Sequence, residues 1–131
     1  MNSQLCVCTS GKSFAACCQR LLSGSMPAKT PLQLMRSRFS AFALGGHGAY
    51  LLSTWLSVAS EGLSEFELSQ ASLNWQRLEI IDKSQNGERG SVEFKAYYLD
   101  HNSEQQLHHE ISEFRRISGR WFYAKGQVRS E

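Results

Sequence analysis

The spacing of apolar positions along this chain changes once, near residue 72. Before it, Leu34, Met35, Phe39, Phe42 and Ala43 recur mostly three or four residues apart, which predicts an amphipathic helix over residues 32–44, stopped by Gly45-Gly46. A second helix is predicted from His47 to about Leu56, with Tyr50, Leu51 and Trp55 on its apolar side. A third, short one begins at Ser64, which stands at capping-box spacing from Glu67. Beyond residue 72 apolar and polar positions alternate, or β-branched and aromatic residues crowd together, over residues 73–83, 90–99, 106–117 and 120–128. The breaks between them, Gln85-Asn86-Gly87, Asp100-His101-Asn102 and Ser118-Gly119, are turn sequences. Short turns join antiparallel neighbours, so the prediction is a β-meander packed on helices, an α+β fold.

Ahead of the first long helix the chemistry is different. Cys6, Cys8, Cys17 and Cys18 are the only cysteines in the chain. Two thiol pairs separated by a turn at Ser10-Gly11 can converge on one tetrahedral ion, and four thiolates are a shell that structural zinc takes. Zinc is therefore the favoured cofactor, with an iron–sulfur centre, labile thiols or two disulfides as alternatives. A Cys17–Cys18 bridge would strain disulfide geometry. The segment Met1-Asn2-Ser3-Gln4-Leu5 does not read as a secretory signal, so a reducing, cytoplasmic location is expected. Residues 13–22 are predicted as a short helix capped by Ser13 and stopped near Gly24. Lys12, Arg20 and that helix's N-terminus are placed to offset surplus thiolate charge. The Ser-, Gly- and Pro-containing stretch 23–31 reads as a hinge, dividing the chain into a metal module, 1–24, and an α+β domain, 25–131.

Composition narrows the classes. At 131 residues and 41% apolar the chain suits one modest core, and no apolar run approaches the ~18 residues of a membrane span. Residues 1–60 carry five basic and no acidic side chains, and the other 71 carry nine basic and twelve acidic, so +5 and −3 give the net +2. With no run of Lys and Arg, a nucleic-acid or ribosomal partner is only weakly indicated. No Ser-His-Asp arrangement, phosphate-cradling glycine loop or dinucleotide fingerprint occurs.

The run Cys6-x-Cys8-x-Ser10-Gly11-Lys12, then Phe14 and Cys17-Cys18, resembles the SEC-C motif, a zinc-binding module also found as the C-terminal tail of the preprotein-translocase motor SecA. The commonest form of that motif has Pro where this chain has Val7 and Gly where it has Thr9. Across nearly the whole chain, Met35-Arg36-Ser37-Arg38-Phe39-x-x-Phe42, Tyr50-Leu51-x-x-Thr54-Trp55, Trp75-x-x-Leu78, Val92-Glu93-Phe94-x-Ala96, Glu110-x-Ser112-x-Phe114 and Trp121-x-Tyr123 resemble the bacterial YchJ-like family. The resemblance implies a SEC-C module followed by a cone-shaped domain of the nuclear-transport-factor-2-like (cystatin-like) kind.

Such a cone can enclose a pocket between helices and sheet. On the third strand His108, Glu110, Ser112 and Phe114 share one face by the two-residue period, with His109 on the other. If that face is concave, Glu110 is buried and needs a partner, which Arg36 or Arg38 is expected to supply as an ion pair fixing helix to sheet. The candidate pocket residues are Arg36, Arg38, Tyr50, Trp55, Phe94, Tyr98, His108, Glu110, Ser112 and Phe114. No catalytic residue is assigned. Two functions are expected: a non-enzymatic interaction or adaptor protein that docks onto a protein or ribosomal partner through its zinc module, as the likeness to the SecA tail implies, or a small-molecule-binding domain or enzyme built round Glu110, with Glu110 as general base beside His108 or Tyr98.

Overall fold

The structure is a computed structural model of the chain and describes residues 4–56, 61–70 and 73–129. The alternating stretches form four strands, β1 (Asn74–Asn86), β2 (Arg89–Leu99), β3 (Gln105–Ile117) and β4 (Arg120–Arg129), hydrogen-bonded in sequence order as an antiparallel meander. Ser118 and Gly119 hold φ of 53° and 81° between β3 and β4, the pair of positive angles that lets a two-residue turn follow the twist of its strands. Register shifts at Trp75/Arg77, Ile80/Asp82 and Glu113/Phe114 bend the sheet. Val92, Phe94 and Ala96 of β2 lie in register with Ser112, Glu110 and His108 of β3 on the inner face. The α+β expectation holds.

The longest helix, α2 (Pro31–Leu44), opens where Thr30 accepts a hydrogen bond from the Gln33 amide (3.1 Å) and ends at Gly45. It is not simply amphipathic: Ser37, Arg38 and Ser40 are as buried as Leu34, Met35 and Phe39. One side faces the sheet, one faces α3 (Gly48–Ser53) through Ser37 and Arg38, and one faces the cysteines through Ser40. The predicted second helix stops three residues early. Thr54 to Leu56 instead joins β4, with the Tyr123 amide donating to the Thr54 carbonyl (2.7 Å) and the Leu56 amide to the Tyr123 carbonyl (3.0 Å). Ser64 caps α4 (Glu65–Leu68), its hydroxyl accepting from the Glu67 amide (3.1 Å).

The N-terminal helix is shorter than predicted. Residues 14–17 form turns, Ser13 Oγ accepts from the Ala16 amide, and regular helix α1 (Cys18–Leu22) begins only after Cys17, whose φ of −124° and ψ of −108° are non-helical. The stretch read as a hinge runs along the core. Cys6, Cys8, Cys18 and Leu21 belong to the same core cluster as Leu34, Phe39, Leu78, Val92 and Phe114, and Ala28 of the intended linker is buried with them. A module this small lacks enough apolar surface to bury its own sulfurs, so it leans on α2 and β1. No helix of the described residues is long and apolar enough to cross a membrane.

Candidate functional site

Cys6 and Cys8 sit in a tight loop closed by the Cys6 amide donating to the Lys12 carbonyl (2.9 Å) and the Phe14 amide to the Gln4 carbonyl (2.8 Å). Thr9 turns that loop with φ of 60°, a conformation that a β-branched residue rarely adopts. Its hydroxyl is tied to the main chain of Leu78, accepting from the amide at 3.1 Å and lying 3.0 Å from the carbonyl. The strain is thus set against two contacts to β1, in the position where the commonest SEC-C form has Gly.

The four sulfurs lie within 4.8 Å of one another, with Cys8–Cys17 at 3.7 Å and Cys17–Cys18 at 3.9 Å. A tetrahedron of metal–sulfur bonds ~2.3 Å long has edges of about 3.8 Å, so the donor set and its spacing fit a single four-coordinate ion. Ser10 Oγ approaches Cys17 Sγ at 3.3 Å and Ser40 Oγ approaches Cys6 Sγ at 3.7 Å. Such outer contacts orient thiolates. Thiols this close share protons. Hydrogen bonding from the Cys18 thiol, with help from Ser10, brings Cys8 down to about 4, whereas the same Cys8–Cys18 bond and burial push Cys18 up, and burial raises Cys17. A cation held among the sulfurs would favour the ionised form of these thiols.

Arg36 belongs to this centre and not to Glu110. Its guanidinium donates to the Cys8 carbonyl (2.9 Å) and stands 3.9 Å from Cys8 Sγ. Of the two cations expected to offset the thiolates, Arg20 donates to the Cys17 carbonyl (3.4 Å), and Lys12 lines the groove beside the cluster.

The second feature is a cavity of about 390 Å³ between α2 and the inner face of the sheet. Of the predicted residues, Arg38, Trp55, Phe94, Tyr98, His108, Glu110 and Ser112 line it. Arg36, Tyr50 and Phe114 do not. Tyr50 bonds Ser37 Oγ at 2.6 Å, and Phe114, 1% exposed, is packed in the core. The expected Glu110–arginine ion pair is also absent among the described residues. Glu110 instead receives hydrogen bonds from Ser112 (2.7 Å) and Tyr123 (2.9 Å) and pairs with His108 Nε2 (2.8 Å). Burial works to raise its carboxyl, but these three bonds together hold it below its ordinary value. Gly126 makes the arrangement possible, because a Cβ there would collide with the Glu110 carboxylate and the Tyr123 hydroxyl.

Arg38 is buried separately, donating through Nη1 to the Leu51 carbonyl (2.9 Å) and Thr54 Oγ1 (2.8 Å), with its guanidinium carbon 4.5 Å from the Trp55 ring centre and 4.8 Å from that of Tyr123. Burial lowers it to about 10, which leaves it charged at neutral pH. Sequence reasoning missed Trp75, Phe39 and Tyr123 as lining residues. Strand parity carried a usable signal for Tyr123, which pairs with Phe114 directly across the β3–β4 ladder.

A four-thiol knuckle fused to helices over a curved meander defines a class, that of SEC-C proteins with a nuclear-transport-factor-2-like domain. The chain matches the family described as "YchJ, middle NTF2-like domain" over residues 30–126 and the SEC-C motif over residues 3–20. It is 38% identical to a UPF0225 protein of Serratia proteamaculans over 94% of this chain and 82% of that one. It is likewise 38% identical to the UPF0225 protein Cgl1438/cg1626 of Corynebacterium glutamicum, over 94% and 96%. The solution structure of RPA3114, a SEC-C motif containing protein from Rhodopseudomonas palustris, superposes with a TM-score of 0.87 at 33% identity, covering 99% of this chain and all of that one. The chain belongs to the YchJ-like, UPF0225 family.

Proposed function

We propose that this protein is a zinc-binding interaction protein that docks an acidic protein segment beside its metal centre. The observation that carries the reading is the groove against the thiol cluster: Lys12, Arg20, Lys29 and Arg36 line it together with Ser10 and Cys17, and no carboxylate of the described residues does. A zinc held by four thiolates has no open coordination position for substrate, so such a centre builds a surface and leaves chemistry elsewhere. Four cations around one groove favour an acidic chain. The test has two parts. Metal analysis by native mass spectrometry should find one zinc per chain. The variant Lys29→Glu, which reverses a groove charge that is not bonded to the cysteines, should keep metal and melting temperature while losing partners that the parent captures; an unchanged partner set would sink the docking claim.

A second reading, a small-molecule site in the cone, is favoured by the cavity itself, since the space between α2 and the sheet is not filled by the side chains of the described residues.

A further inference from the structure

The cavity has an apolar body and an unevenly satisfied polar end. Its walls are mainly aromatic, with Trp75 edge-on to both Phe39 (5.8 Å between ring centres) and Tyr98 (5.0 Å). At its polar end are two charges in different condition. Glu110 is satisfied, with three donors on one carboxylate. Arg38 is not. It is 3% exposed, makes no ion pair with any described carboxylate, and uses only Nη1 in hydrogen bonds, so the donors on Nε and Nη2 have no partner among the described residues. The Trp55 and Tyr123 rings, 4.5 and 4.8 Å from its guanidinium carbon and 5.5 Å from each other, both lie to one side of it.

Glu110 is near enough to favour the charge on Arg38 but makes no direct ion pair with it, and a planar guanidinium with an open edge matches a carboxylate in two parallel hydrogen bonds. We propose that the cavity is a receptor for a small apolar or aromatic carboxylate, whose acid group binds the free edge of Arg38 while its body packs among Trp75, Phe39 and Phe94. Glu110 does not receive a cationic ligand in this arrangement, because His108, Ser112 and Tyr123 already occupy it. At ~30 Å³ per water, the 390 Å³ space holds the volume of about 13 waters, which suits a ligand about the size of one substituted aromatic ring.

The proposal rests on the second reading above, and three probes separate its failure from the failure of that reading. The purified full chain is titrated calorimetrically with 3-phenylpropionate, its amide and 3-phenylpropylamine. The carboxylate should bind at least roughly tenfold more tightly than either of the others. It alone should shift the Arg38 Nε–H resonance in ¹⁵N-edited spectra, a readout that needs no variant. Ala96→Phe, which fills the cavity without touching Arg38, should abolish binding. Equal affinity for acid and amide, or an unmoved Arg38 resonance, overturns the Arg38 assignment but leaves a small-molecule cavity. Tighter binding of the amine overturns it in favour of a cation site. Binding of none of the three at millimolar concentration overturns both.

Discussion

At Thr9 a left-handed backbone is held by a side chain that disfavours it, and the two hydroxyl contacts to Leu78 are what offset the strain. Thr9→Val keeps the strain and strands the Leu78 amide, so a loss of about 1–3 kcal/mol is expected. Thr9→Gly loses the same contacts but relieves the backbone, and should cost less. Urea unfolding of both variants measures this; a valine variant as stable as the glycine variant contradicts the account. Glu110 gives a pH prediction. Its folded carboxyl lies below the ordinary value of 4.5, so its contribution is present above that pH and is lost as pH falls from 4.5 through the lower folded value. Acid unfolding monitored by circular dichroism should therefore be shallower in that window for Glu110→Gln than for the parent.

At the scale of elements, what was readable depended on whether local period and tertiary pairing agreed. They agree over α2 and the four strands, whose bounds fall within about three residues of the positions read from spacing. They disagree after Ser53, where Trp55 continues the helical spacing from Leu51 but the backbone is taken by Tyr123 of β4. Arg36 and Arg38 show another limit. Two residues apart on a helix they diverge by ~200°, so only one can face the sheet, and the pattern alone did not say which, because α2 is covered on three sides. The stretch 23–31 reads as a linker by composition, yet the Met26 amide bonds the Arg20 carbonyl (3.3 Å) and Ala28 is in the core. Gly126 was invisible for a related reason: its role comes from a side chain on the neighbouring strand. Gly126→Ala should destabilise by about 1–3 kcal/mol by displacing the Glu110 carboxylate. A double variant with Glu110→Ala should lose less than the sum of the two single changes in a denaturation cycle. Simple additivity would mean that the collision is not the cause.

For the whole molecule, the decisive fact is that the thiol cluster is one corner of the only core cluster described. Cys6, Cys8 and Cys18 are 3%, 0% and 2% exposed, packed with Leu21, Leu34 and Phe39, while Trp75 and Phe94 at the cavity belong to or pack on the same cluster. A zinc bound by a structural site contributes about 10–16 kcal/mol in small peptides, comparable with the ~5–15 kcal/mol net stability of an entire domain. In this chain some of that affinity would go to ionising thiols such as Cys18, whose proton the Cys8 contact and burial favour. Even a fraction of it is large for a chain of this size. Removing the proposed zinc with a strong chelator at neutral pH should therefore lower the melting temperature of the whole chain, and Cys8→Ser should do the same without chelator. Far-ultraviolet circular dichroism, which reports the sheet, and tryptophan emission, which reports the cavity through Trp55 and Trp75, should melt together in one transition at the lower temperature. If the cysteine segment were an independent knuckle, chelation would leave the sheet and cavity transitions where they were, and the shared core would have no energetic meaning.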